Sequence, residues 1–219
     1  IARGKVFEDQ ARKSLAAGEY ARALDSCEKA REFYKETAEE YGLNRLVGDI
    51  YFAQKQYATA KSFYLRGTRH TNNPILPINL ALCDLRLGDY NQAKSGFSVI
   101  KLHERLARIH KQYQVEAVNL PTVHDKASLE GSLLMTKGLT YYFREDFQKA
   151  LAEFTVASAL LPKNAATVYY TGMTLTHLNR RTEAAPYFAT AARTGTGRMA
   201  KDARSRWIAL EGNTSAIAE

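Results

Sequence analysis

The chain has 219 residues, 45% of them hydrophobic and 25% charged, a balance that excludes a disordered polymer and fits a folded protein. No run approaches the roughly 18 apolar residues that a membrane span needs. The formal charge of +8 and a pI near 9.4 invite a nucleic-acid reading, but they fit a generally solvated basic surface better. An acidic protein or peptide uses the same charge equally well, so a nucleic-acid partner is not expected. The cations are spread along the chain, concentrated only at 101–111 and 193–206, and neither stretch interleaves them with the aromatics of a single-strand platform.

Taken in order, the sequence repeats one pattern five times. Ala23, Ala60, Ala93, Ala150 and Ala184 each sit on the second of two short amphipathic helices. Twelve residues before each stands a small residue: Ala11, Gly48, Ala81, Gly138 and Gly172. Four residues after each comes Cys27, Tyr64, Phe97, Phe154 or Phe188. Three residues before comes a turn aromatic, Tyr20, Tyr57, Tyr90 or Phe147, with Arg181 as the departure. Small residues at fixed places let two helix backbones approach, and the aromatics fill the wedge beside them.

The alanines are 37, 33, 57 and 34 residues apart, so the third interval carries an insertion. Its apolar residues, among them Phe97, Ile100, Leu106, Ile109 and Tyr113, recur at helical spacing from Asn91 to about Glu116. They predict one long second helix of about 39 Å. Pro121 ends it, and Asp125 is the expected N-cap of the next helix. After the fifth pair, Met199, Ala203, Trp207 and Leu210 mark one more amphipathic helix, in which Trp207 is expected to be largely buried near Phe188.

Groups for catalysis are scarce. There is no glycine-rich phosphate loop, no G-x-S-x-G and no C-x-x-C. His103 and His110 are seven residues apart, whereas zinc ligands on a helix usually come three or four apart, so they read as solvated. No metal, cofactor or enzymatic activity is expected. Cys27 and Cys83 fall at packing positions in different repeats, and no disulfide is expected. That fits a reducing compartment such as the cytoplasm. The chain starts at Ile1 rather than Met, so the lack of a charged-then-apolar leader excludes nothing.

The repeated small, aromatic, alanine and aromatic positions resemble the tetratricopeptide repeat (TPR), whose period is about 34 residues. The resemblance covers nearly the whole chain. It implies an all-α, right-handed solenoid of helix pairs over 1–219, with repeats near 4–37, 41–74, 74–107, 131–164 and 165–197. A helical insertion near 103–126 and a capping helix near 198–211 complete it.

The resemblance further implies a non-catalytic adaptor that holds a peptide or amphipathic helix of a partner protein in a concave groove lined by the first helices. The alternative is a structural subunit or homo-oligomer that uses the insert helix and end faces. Helix periodicity then places Arg45, Asn79, Leu82, Arg86, Met135, Leu139, Tyr142, Tyr169 and Met173 as partner-binding candidates. Some members of the family clamp a terminal carboxylate with lysine, asparagine and arginine. Arg45 and Asn79 match two of those places, while Asp49, Ser132 and Thr136 replace the others. Asp49 is expected to repel a carboxylate.

Overall fold

The computed structural model describes residues 2–35, 38–68, 73–98, 100 and 125–215, without the side chains at 38–41 and 212–215. Among them are eleven α-helices and no strand. They are α1 (Ala2–Ala16), α2 (Tyr20–Tyr34), α3 (Ala38–Ala53), α4 (Tyr57–Thr68), α5 (Ile75–Leu87), α6 (Tyr90–Ser98), α7 (Lys126–Tyr142), α8 (Phe147–Leu160), α9 (Ala165–His177), α10 (Arg181–Thr194) and α11 (Gly197–Ser215). The chain divides into two compact units, Ile1–Ile100 and Lys101–Glu219. α1 to α6 lie in the first and α7 to α11 in the second.

Within each repeat the same turn joins the two helices. The residue five before the signature alanine has a left-handed backbone in all five cases: Gly18, Lys55, Gly88, Glu145 and Asn179. The next amide reaches back to the carbonyl five residues earlier, as in Glu19 to Ser14, Gln56 to Tyr51, Asp89 to Asp84, Asp146 to Tyr141 and Arg180 to Leu175. This hydrogen-bonded C-terminal turn satisfies carbonyls that a helix end otherwise leaves open. It also reverses the chain in three residues, so the second helix lies against the first.

Packing follows from the small residues. Ala23, Ala60, Ala93, Ala150 and Ala184 have no exposed surface. A Cβ built on Gly48 meets the Tyr64 ring at 2.5 Å, and one on Gly138 meets Phe154 at 2.7 Å. In the first unit, Ala11, Ala23, Cys27, Ala30 and Tyr34 join Leu43, Leu46, Val47 and Ile50 in one core. Burial pushes the Cys27 thiol up to about 12, which keeps it protonated and inert.

Asp125 caps α7 in a reciprocal box: its Oδ1 accepts from the Ser128 amide at 2.7 Å, while Ser128 Oγ accepts from the Asp125 amide at 3.0 Å. Asn164 caps α9 by accepting from the Thr167 amide at 2.9 Å. α6 is described to Ser98, and the expected continuation of that helix to about Glu116 lies outside the described residues.

On the end helix Met199 and Ala203 are buried and Trp207 is partly buried. At about 100° per residue, Arg206 lies nearer the middle of the stripe through Met199, Ala203 and Leu210 than Trp207 does. The Arg206 guanidinium sits 5.9 Å above the Phe188 ring.

Candidate functional site

In the first unit the site is built around one carboxylate. Asp49 lies one turn after Arg45 on α3, and Arg45 Nη1 donates to Asp49 Oδ2 at 3.0 Å. Tyr64 on α4 is pressed against Gly48, which aims its hydroxyl along α3, and it donates to Asp49 Oδ1 at 2.9 Å. From α5, Asn79 Nδ2 donates to the same oxygen at 3.1 Å. Burial, and then the Asp49 charge, push the Tyr64 hydroxyl far above its ordinary pKa, so it remains a donor.

The carboxylate-clamp places are therefore already filled. Arg45 and Asn79 hold a carboxylate, but it is the chain's own. Ser132 and Thr136 in the second unit are fully or nearly fully buried. They donate to the carbonyls of Ser128 and Ser132 at 2.7 and 2.8 Å. Both hydroxyls are thus spent inside α7.

A second carboxylate in the first unit repeats the device. Glu8 on α1 accepts from Arg12, one turn on, and from the Tyr34 hydroxyl at 3.1 Å. Burial acts to raise its pKa. The hydrogen bond and charge of Arg12, with Lys5 and Tyr34, outweigh burial and hold Glu8 below the usual carboxylate range.

The second unit is aromatic instead. Met135 and Leu139 on α7 and Tyr169 on α9 are each 1% exposed. Met135 Sδ accepts from Thr167 Oγ1 at 3.1 Å, and Tyr169 donates its hydroxyl to Asp202 on α11. Toward the C-terminal ends of α7 and α9 the rings become accessible. Tyr142 Oη lies 3.1 Å from Nε2 of the exposed His177, whose ring stacks on Phe147 at 4.3 Å and 2°.

Of the nine candidate residues, Asn79, Leu82, Met135, Leu139 and Tyr169 are thus buried, while Arg45, Tyr142 and Met173 are partly exposed and Arg86 is exposed. The helix period gave a face without its depth, because these long side chains lean over the neighbouring helix. Tyr64 was not among the candidates. The available signal was a hydroxyl where the next three repeats carry Phe97, Phe154 and Phe188. Among the described residues no cluster of three or more His, Cys, Asp or Glu could hold a metal, and no helix is long and apolar enough to cross a membrane.

Five helix pairs with one turn geometry, one buried alanine position and small residues beneath aromatic rings make an all-α solenoid of repeated helix pairs, the fold that the resemblance to the TPR implies. No protein-family model matches the sequence, and no curated protein does. Among solved structures, MamA AMB-1 is similar at 16% identity over 89% of this chain and 100% of its own, with a TM-score of 0.39. YrrB, described as a TPR protein with an unusual peptide-binding site, has 17% identity over 91% and 90%, with a TM-score of 0.39. The TPR2AB domain of yeast Sti1, in complex with pHSP90, has 11% identity over 96% and 99%, with a TM-score of 0.37. Overlap of this size adds nothing to the assignment, which rests on the chain's own helix pairs.

Proposed function

We propose that the chain is a non-catalytic adaptor that binds a peptide or amphipathic helix of a partner protein along the faces of its first helices. The observation that carries this reading is in the second unit, where Tyr142 and Met173 are partly exposed and His177 is exposed on the same two helices that bury Met135, Leu139 and Tyr169. A thioether and aromatic rings over a rigid base suit an apolar peptide face, with Met adapting to its shape. In the first unit Arg86 is the corresponding exposed cation on α5.

The test is selection of peptides from a random display library on the whole chain, followed by calorimetry with Arg86→Glu and Met173→Gln. Enriched peptides with apolar residues at i, i+3 or i+4, bound at least about tenfold more weakly by the variants, support the reading. No enrichment, or equal binding by the variants, overturns it. Leu139→Glu is not a reporter of binding, because a charge placed there is buried and costs about 3 kcal/mol or more of stability.

A second reading, a structural subunit or homo-oligomer, is favoured by α1, where Val6 is 65% exposed beside the stacked Phe7 and Phe33. Light scattering after size exclusion separates the two readings.

A further inference from the structure

The C-terminal ends of α7 and α9 and the start of α8 hold one imidazole in a fixed plane. His177 lies parallel to the Phe147 ring, with centroids 4.3 Å apart and 2° between the planes. Its Nε2 is 3.1 Å from the Tyr142 hydroxyl, and Tyr142 itself meets Phe143, Phe147 and Tyr170 edge to face. Tyr170 is 3% exposed, so the group stands on the core of the second unit. One face and one edge of the imidazole are thus taken, yet His177 is exposed. The exposure comes from its second face and its outer edge. The position is outward by register as well. The residue five after each small residue, Ala16, Ala53, Arg86, Phe143 or His177, is exposed or partly exposed in every repeat. In the fifth alone is it a ring that can take a hydrogen bond.

We infer that His177 is the specificity-determining residue of the second unit's partner face, and that it takes an aromatic side chain of the partner peptide, stacked on its free face. The inference rests on the adaptor reading and names the residue such a peptide must carry. A ring laid there continues the Phe147–His177 pair into a stack of three. The plane is set before the ligand arrives, so less is lost in ordering it. An aliphatic side chain covers the same face without the attraction between rings. A guanidinium is also flat, but the chain's formal charge of +8 disfavours a cationic partner. A strand of bases needs successive exposed rings, and those beside His177 are partly buried and packed on one another.

The probe is the pool of peptides that a random display library yields on the whole chain, selected in parallel on His177→Leu and His177→Phe. Peptides from the parent are expected to share a Trp, Tyr or Phe. Exchanging that residue for Leu is expected to weaken binding about three- to tenfold on the parent and on His177→Phe, which keeps a ring in place. On His177→Leu the exchange is expected to change nothing. In proton NMR the His177 ring protons are expected to move upfield on binding, because they come to lie over an aromatic face. A side chain that only supports the fold gives no such shift. Enriched peptides without an aromatic residue, an equal Leu penalty on His177→Leu, or the absence of the upfield shift overturns the inference and leaves the adaptor reading standing. An arginine shared in place of the aromatic, or tighter binding of oligouridylate to the same ring, also overturns it. A library that yields no peptide overturns both readings.

Discussion

Asn79 on α5 donates to Asp49 on α3 at 3.1 Å, closing from the next repeat a carboxylate that Arg45 and Tyr64 already hold. The cluster ties three helices of the first unit together through one side chain. It also occupies the place where an external carboxylate would have to sit, so this part of the face binds its own acid.

Removing that acid by Asp49→Ala should take the shared acceptor from the 2%-exposed Asn79 amide and the Tyr64 hydroxyl, and one partner from the Arg45 guanidinium. The expected loss is about 2–4 kcal/mol, since stranding buried partners costs more than the bonds are worth net. Acetate, which offers the missing carboxylate, should raise the melting temperature of Asp49→Ala above its value in chloride at equal ionic strength and leave the parent unchanged. Equal melting in the two salts would refute the receptor geometry.

The glycines under the aromatic rings should form a graded series. Alanine gains up to about 1 kcal/mol of helix propensity over glycine. At Gly48 the new Cβ lies 2.5 and 2.6 Å from ring carbons of Tyr64, a ring anchored through its hydroxyl to Asp49. Gly48→Ala should therefore cost about 1–3 kcal/mol through overpacking. At Gly172 the nearest Phe188 carbon is 3.0 Å away and the ring has no polar anchor, so Gly172→Ala should be close to neutral. Denaturant melts in which Gly172→Ala loses as much as Gly48→Ala would show that the anchor is irrelevant.

The turns give a paired test. Lys55 and Glu145 hold φ of 62° where the first and third repeats place Gly18 and Gly88. A left-handed conformation costs an L-residue roughly 1–2 kcal/mol, part of which glycine returns as backbone entropy. Lys55→Gly should raise stability by up to about 1 kcal/mol, and Gly18→Ala should lower it by about as much. Opposite signs in urea melts are the expected outcome, and two losses would contradict the shared turn.

These contrasts mark what could be read from the sequence. The helix pairs were legible because close backbone approach leaves small residues at a fixed distance from aromatics, as with Gly48 and Tyr64 or Gly138 and Phe154. The turn was legible in the aromatic that closes it, Tyr20, Tyr57, Tyr90 or Phe147, two residues after the left-handed Gly18, Lys55, Gly88 and Glu145. The hydrogen bonds of Tyr64 and Asn79 to Asp49 were not, because these residues lie 15 and 30 positions from it and meet it only when three helices pack. Nor was the depth of Leu139. A stripe of apolar letters gives the face of a helix, while the rotamers decide which member reaches the core.

Glu8 supplies a pH dependence whose sign can be worked out. Its carboxyl is held below the usual range despite burial, because Arg12, Lys5 and Tyr34 favour the ionised form. A carboxylate with a depressed folded pKa binds protons more readily in the unfolded chain. Its contribution is therefore fully present above the unfolded value near 4.3 and is lost as pH falls through the lower folded value. Glu8→Gln keeps the shape but removes the titration. The difference in melting temperature between parent and Glu8→Gln should be constant from pH 7 down to about 5 and shrink below about 4. A difference that grows on acidification would mean that burial, rather than Arg12, dominates this carboxyl.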